Sequence, residues 1–410
     1  MVPRRAVQNG TRLGRNKRNK TKVMRTLTTT QELADFCTLA QSKDFVTVDT
    51  EFLRERSYYS KLCLVQLALP GTSNDEAVLV DPLAEGLSLA PLYALFEDES
   101  TVKVFHAARQ DIEIFCLDAG VIPKPLFDTQ LAAMVCGFGE QVGYETLVNK
   151  ITKKSLDKSS RFTDWSRRPL SEAQKKYALA DVTHLRQIYE YFQKRLKETG
   201  RAHWVQEELA ILLKPDTYIV QPHEAWKRIK VRSHAAKFLA NVYTLATFRE
   251  EHAQKMDIPR NRVFKDDALV ELASTRPQSI GDLGKSRMLL RDARKGAIAE
   301  GILKAIQTAA DLPKEQIPKP APVTDRQTVN SALADLLRVM LKAVSERTGV
   351  AAKLIATSSD LDRLASGDEE VNALTGWRFE IFGREALRLC RGETGLRVEG
   401  KKVVSFPIVK

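Results

Sequence analysis

The chain has 410 residues, 43% of them hydrophobic and 28% charged, with a formal net charge of +12. Those proportions are ordinary for a folded globular protein and exclude a collagen-like or mostly disordered chain. The apolar runs are short, as in LCLVQLAL at Leu62 to Leu69, far from the roughly 18 residues a membrane helix needs, which excludes a helical membrane protein.

Residues Met1 to Arg25 hold nine basic side chains and no acidic one, leaving only +3 for the rest. The sequence therefore predicts a disordered basic tail over 1–23 rather than a uniformly basic nucleic-acid binder. An overlong start upstream of Met24 and a transit peptide are its alternatives. Five scattered cysteines without CxxC spacing predict buried reduced thiols in a cytoplasmic protein, and the histidines are not grouped with them as zinc would require.

From Met24 to Leu212 short apolar runs alternate with helical stretches. Thr28–Thr29–Thr30–Gln31–Glu32 is a helix start. Phe45 to Val48, Leu62 to Leu69 and Ala77 to Val80 read as three strands with short links, an antiparallel meander. A helix over Leu89 to Phe96, a strand at Val102 to Phe105 and a helix from Asp111 to Leu117 follow. Leu126–Phe127 reads as a short strand running into a helix at Thr129 to Cys136. The Ser171/Gln174 capping box opens a long helix toward Lys197. This is an α/β pattern with mixed pairing. Beyond Lys214–Pro215–Asp216 strand signals fade. Helices are predicted over His234 to Glu251, Lys265 to Ser274 and Lys285 to Thr308. Prolines 313, 318, 320 and 322 mark a linker, and a second helical block runs from Arg326 to Leu389. Residues 216–300 carry 16 basic and 11 acidic side chains, so the first helical block is mildly basic.

Three features could carry chemistry. Asp49 and Glu51 end an apolar strand and, by strand alternation, point to one face. Such a pair is either a solvated strand end or a seat for a hard cation such as Mg²⁺ or Mn²⁺. Asp111 sits in the first turn of a helix after Phe105–His106, where it either complements the dipole or serves a site. Tyr177 and Asp181 share one face of the long helix among Ala and Leu, and an acid on so apolar a surface requires a partner.

Taken in order, D-x-E, then D after a strand, then Y-x-x-x-D on a late helix resemble the three motifs of the DEDD exonuclease superfamily, tyrosine subgroup. FHAARQDIEIF, FDTQLAA and FTDWSRRPLSEAQKKYALADV are similar to the ribonuclease D family, as are GWRFEIFGREAL and RVEGKKV near the end. The segments HAAKFLANVYTLATFRE and DIPRNRVFKDDALVELA resemble HRDC domains. The resemblance implies a ribonuclease-H-like mixed-sheet exonuclease domain followed by two all-α HRDC-type domains. The expected limits are 24–213 for the nuclease, 214–310 for the first helical domain, 311–325 for the Pro-rich linker and 326–410 for the second.

It also implies two divalent ions, Mg²⁺ or Mn²⁺, with Asp49 bridging both, Glu51 and Asp181 completing one site and Asp111 holding the other. Tyr177 would orient the attacking water. Phe52 would pack against the terminal nucleotide and His106 would contact substrate near Asp111. Trp165, Arg167 and Arg168 before the catalytic helix, and Arg260, Arg262 and Lys265 in the first helical domain, are the expected RNA contacts. The implied activity is a cytoplasmic, monomeric 3′→5′ exoribonuclease that trims tRNA precursors. A DNA exonuclease and a non-catalytic binding module are the competing readings; the intact carboxylate set argues against the second.

Overall fold

A computed structural model describes residues 24–73, 76–157, 159–231, 233, 235–319 and 330–408. The predicted basic tail lies outside the described residues, as do 320–325 of the predicted linker. Among the described residues no helix is long and apolar enough to cross a membrane.

The first domain is built on one mixed sheet. Its elements are β1 (Thr26–Leu27), α1 (Thr30–Gln41), β2 (Phe45–Leu53), β3 (Lys61–Ala68), β4 (Ala77–Val80), α2 (Ala90–Glu97), β5 (Val102–Phe105), α3 (Arg109–Ala119), β6 (Leu126–Asp128), α4 (Thr129–Val135), α5 (Tyr144–Leu147), α6 (Glu172–Thr199) and α7 (Ala202–Leu209). The strand order is β1-β4-β3-β2-β5-β6. The β2–β3–β4 meander is antiparallel as expected, whereas β5, β6 and the two-residue β1 join in parallel. Strand β2 is therefore internal, flanked by an antiparallel neighbour on one side and a parallel one on the other.

The capping box predicted at Ser171 forms, and the helix start read at Thr28 to Glu32 proves to be a second one. Thr29 and Glu32 cap α1, and Ser171 and Gln174 cap α6, which ends at Gly200 with φ +67°. Each box satisfies backbone N–H groups that a helix start leaves bare.

The first helical module contains α8 (Ala236–Lys255), α9 (Arg260–Val263), α10 (Asp266–Thr275), α11 (Ile280–Leu283) and α12 (Gly296–Asp311). It encloses its own core of Val242, Leu245, Phe264, Leu269, Leu272 and Ile302. Helix α12 begins eleven residues later than the apolar pattern predicts. Gly296 has φ +63°, and the Glu271 carboxylate accepts from the Arg287 and Met288 N–H groups at 3.0 and 3.1 Å, which holds that stretch as a loop.

The second block comprises α13 (Ser331–Thr348), α14 (Ala352–Ile355), α15 (Ser358–Ala365), α16 (Gly376–Arg378) and α17 (Arg384–Cys390). It ends in a hairpin that the helical reading misses, β7 (Thr394–Glu399) with β8 (Lys402–Pro407). Unlike the first module, this block shares one continuous core with the nuclease domain. Trp377 stacks on Trp204 of α7, with ring centroids 4.8 Å apart and planes at 15°. Its Nε1 donates to Glu208 at 3.0 Å, and Arg378 pairs with the same carboxylate at 2.7 Å. Ala351 N–H donates to the Met134 carbonyl at 3.0 Å. Gly137 and Gly349 meet backbone to backbone; a Cβ on Gly137, which has φ +89°, would lie 3.0 Å from the Gly349 carbonyl oxygen.

The second block thus buttresses α4 and α7. Truncating a fully buried Trp typically costs about 3–5 kcal/mol. Trp377→Ala is expected to lower the thermal midpoint of the nuclease domain itself, read by near-UV dichroism. A midpoint equal to wild type would show the block to be an independent appendage.

Candidate active site

Alternation along β2 places Thr47, Asp49 and Glu51 on one face and Val48, Thr50 and Phe52 on the other. Each face is tied to a different helix. On the first, Thr47 Oγ1 donates to the Val182 carbonyl of α6 at 2.9 Å, which brings the preceding residue, Asp181, over the strand acids. One carboxylate oxygen from each of Asp49, Glu51 and Asp181 lies within 4.8 Å of the others. On the second face the Thr50 hydroxyl donates to Asp111 in the first turn of α3. Asp111 is 7% exposed, and its charge acts on both Asp49 and Glu51. The strand end therefore gathers acids from three segments of the chain.

The turn that aims Asp111 is held by Asp128, the N-cap of α4. Its carboxylate accepts from Gln130 N–H at 2.7 Å and reaches back to the Ala107 and Ala108 N–H groups at 3.0 and 2.9 Å. Ala107 has φ +59°, a region that non-glycine residues enter only when their surroundings over-determine it. His106 Nδ1 is 3.0 Å from the Thr129 hydroxyl, itself 3.1 Å from the Phe105 carbonyl. The hydroxyl gives its proton to the carbonyl and keeps an oxygen lone pair toward Nδ1. Burial holds His106 below the usual histidine range against the opposing charge of Asp128, so the ring is neutral at pH 7.

The electrostatics of the cluster are severe. Burial, then the charges of Asp181, Asp111 and Glu51, push Asp49 well above the carboxylate range. Burial and then Asp181 and Asp111 push Glu51 up to about 9. Burial raises Asp111 and Asp181 to about 7, opposed by the Thr50 hydrogen bond in one case and by the Tyr177 hydrogen bond and Arg161 in the other. Among the described residues no ion pair involves any of the four. Hard-oxygen donors crowded together without an ion-pair partner fit divalent cations, which prefer carboxylate oxygens and would supply positive charge.

The cluster opens into a cavity of about 270 Å³, lined by Asp49, His106, Tyr144, Arg161, Tyr177 and Asp181. Burial, then Asp181, keep the Tyr177 phenol above its ordinary range, so it stays protonated. Its ring lies 6.0 Å from that of Trp165. The motif reading does not single out Thr50, Asp128, Tyr144 or Arg161. The Tyr144 hydroxyl donates to the Ala180 carbonyl at 3.1 Å and to that of Asp181, pinning α6 at the site. Arg161 is the cation that acts on Glu51, Tyr177 and Asp181.

Several expected RNA contacts are otherwise engaged. Trp165 is 2% exposed, packed with Cys63, Leu64 and Leu179 behind Tyr177, so it cannot stack on a base. Arg168 grips Asp81 with two bonds of 2.6 Å and donates to the Cys63 and Trp165 carbonyls at 2.7 and 2.8 Å. Its donors are spent as a strut beneath the loop before α6, leaving none for a phosphate. Arg260 is held by the buried Glu250 and the Tyr58 hydroxyl. Arg167, by contrast, is exposed and, among the described residues, pairs with Asp164 at 3.2 Å. Arg262 and Lys265 are exposed on the first helical module, and Phe52 is half-buried at a register shift between β2 and β3.

The family model described as 3′-5′ exonuclease matches residues 24–197, and that described as HRDC domain matches 238–306. The chain is 61% identical over 378 residues to a ribonuclease D of Jannaschia sp. (strain CCS1), covering 92% of this chain and 98% of that one. The chain belongs to the ribonuclease D family. A ribonuclease D of Granulibacter bethesdensis is 46% identical, over 92% and 95% of the two chains. Among solved structures, Escherichia coli RNase D, described as an exoribonuclease involved in structured RNA processing, superposes with a TM-score of 0.78 at 28% identity, covering 90% of this chain and 99% of that one. The mixed α/β nuclease fold followed by an HRDC region is that of the family.

The raised carboxylate pKa values fix a sign for stability. Acids that titrate near 7 and 9 in the folded protein but near 4 when unfolded bind more protons folded than unfolded. Stability without divalent ions therefore falls as pH rises from about 4 toward 9. In EDTA the cluster's contribution should lower the melting temperature between pH 6 and pH 9. Asp181→Asn should raise the midpoint at pH 8, and Mg²⁺ should stabilise wild type more at pH 8 than at pH 6. An Asp181→Asn protein that melts lower than wild type in EDTA would contradict this account.

Proposed function

We propose that this acidic pocket shortens RNA from its 3′ end, one nucleotide at a time, by metal-assisted hydrolysis that releases 5′-monophosphates. The observation that carries the reading is the convergence of Asp49, Glu51 and Asp181 within 4.8 Å, with Asp111 hydrogen-bonded alongside, in a chain of the ribonuclease D family. The carboxylates would hold two divalent cations, Mg²⁺ or Mn²⁺: Asp49 shared, Glu51 and Asp181 on one side, Asp111 on the other. Such a pair lowers the pKa of water and offsets charge on the departing 3′-oxygen.

The chain's own groups then have defined tasks. The protonated Tyr177 phenol donates to Asp181 and holds the attacking water by accepting a hydrogen bond from it, its ring set beside Trp165. His106, neutral and tethered through Nδ1, meets the terminal nucleotide across the cavity. Phe52 packs against that nucleotide from the strand end. Arg161 faces the incoming phosphate, and the exposed Arg167, Arg262 and Lys265 contact the RNA backbone farther out. Precursor tRNA is the proposed substrate class, and the proposed setting is a cytoplasmic monomer. The proposed domain limits are the 24–213, 214–310, 311–325 and 326–410 divisions read from the sequence.

An end-labelled structured RNA with an unpaired 3′ tail tests the reading. Wild type with Mg²⁺ should give a one-nucleotide ladder, EDTA should abolish it, and Asp49→Asn should lose at least about 10³-fold. A matched DNA oligonucleotide cut equally well would favour the DNA exonuclease. Tyr177→Phe should lower kcat by about 10²-fold or more while Mn²⁺ affinity by calorimetry stays unchanged. Unaltered turnover would remove Tyr177 from the mechanism.

A further inference from the structure

On the other side of α3 from the carboxylates lies a second, larger cavity of about 620 Å³, between the nuclease domain and the first helical module. Arg109, Glu113 and Leu117 line it. They recur at the i, i+4 spacing of one helix face, while Asp111 between them faces the acidic pocket. Arg54, the first residue past β2, also lines the cleft. It is three residues from Glu51, so the two Cα atoms are at most about 11 Å apart. The acidic strand end and the cleft are therefore neighbours around one corner of the chain.

The walls are fixed in place. Asp257 of the helical module accepts the Tyr58 and Tyr59 backbone N–H groups, each at 3.0 Å. The Tyr58 hydroxyl, Gln254 and Arg260 gather at Glu250, which is 1% exposed, with Gln254 Nε2 3.2 Å from the hydroxyl and Arg260 2.8 Å from the carboxylate. This knot ties the loop that follows the catalytic strand to the helical module. A cleft already formed costs a ligand little ordering entropy.

The charges do not cancel. Arg54 pairs with Glu113 at 2.7 Å, and Arg260 is committed to Glu250. Arg109, however, donates to a neutral carbonyl, that of Thr217, at 3.1 Å, and Arg228 on the facing wall is exposed, its charge also reaching Glu250; counting the Asp257 carboxylate at the Tyr58–Tyr59 backbone, four guanidinium groups face three carboxylates. Tyr59 is 38% exposed, and its ring is braced edge-on by Tyr58 at 4.9 Å. Surplus guanidinium charge beside an exposed tyrosine in a groove is the chemistry that holds single-stranded nucleic acid without sequence preference.

We propose that this cleft holds the single-stranded RNA segment immediately upstream of the 3′ nucleotide, with Arg109 and Arg228 on phosphates and Tyr59 against a base. The proposal rests on the exonuclease reading above, and Arg260 acts in it as a wall brace rather than as an RNA ligand.

The test compares binding of a dinucleotide and a 12-nucleotide oligoadenylate by full-length Asp49→Asn protein, alone and combined with Arg109→Ala/Arg228→Ala or Arg109→Lys/Arg228→Lys, across a KCl series. The alanine pair should weaken 12-mer binding about tenfold relative to the dinucleotide. It should also flatten the slope of log affinity against log salt by about 1.4, close to 0.7 per lost phosphate contact. The lysine pair, which keeps both charges, should recover most of the loss, and Tyr59→Ala should weaken the 12-mer alone. Equal losses on both lengths, or a 12-mer affinity and slope that do not move, would overturn the proposal. Cleavage by wild type reports separately on the exonuclease reading, since the binding comparison needs no turnover.

Discussion

The structure depends on repulsion that is tolerated rather than relieved. At the end of β2, Asp49, Glu51, Asp111 and Asp181 are crowded and largely desolvated, and their ionised forms are so disfavoured that Glu51 is driven up to about 9. Such an arrangement persists only when the surrounding fold forces it and when something outside the apoprotein offsets the cost. Divalent cations held by these carboxylates, as proposed above, would be that something. The rest of the nuclease domain can be understood as the frame that holds mutually repelling groups in register.

The frame works through the two faces of a single internal strand. Thr47 on one face bonds to α6 and Thr50 on the other bonds to Asp111 of α3. Two hydroxyls on one strand thus fix the positions of acids that arrive 60 and 130 residues later in the chain. Around them stand the Asp128 clamp on the Phe105–Arg109 turn, the Tyr144 hydroxyl on the backbone of α6, and the Trp165 wall behind Tyr177. The second helical block extends the same frame, because its Trp377 is part of the nuclease core. The first module is different: it has a separate core, and the Tyr58 loop of the nuclease packs on it and joins the knot at Glu250.

Much of this was legible in the sequence, and what was not has physical reasons. Strand alternation puts Asp49 and Glu51 together without further information, and the two capping boxes are local rules that local residues satisfy. Asp111 and Asp181 become site candidates only through the order of the three motifs, because a first-turn acid and an i,i+4 pair are each common on ordinary helices. The errors concern partners rather than residue types. Arg168 looks like a phosphate ligand until Asp81, 87 positions away, is found to occupy it. Arg260 is likewise spent on Glu250, and Trp165 on the core. Arg161 and Tyr144 escaped notice because they belong to no motif, and the closing hairpin because its two short strands sit beyond a long helical run.

The central claim is that acids from three separate segments form one cation-binding centre. Anomalous diffraction from crystals of the full chain soaked in Mn²⁺ tests it most directly. The account predicts two manganese peaks roughly 3.5–4 Å apart, contacted by Asp49, Glu51, Asp111 and Asp181. Maps without manganese at the end of β2, or with ions bound only elsewhere on the surface, would contradict it.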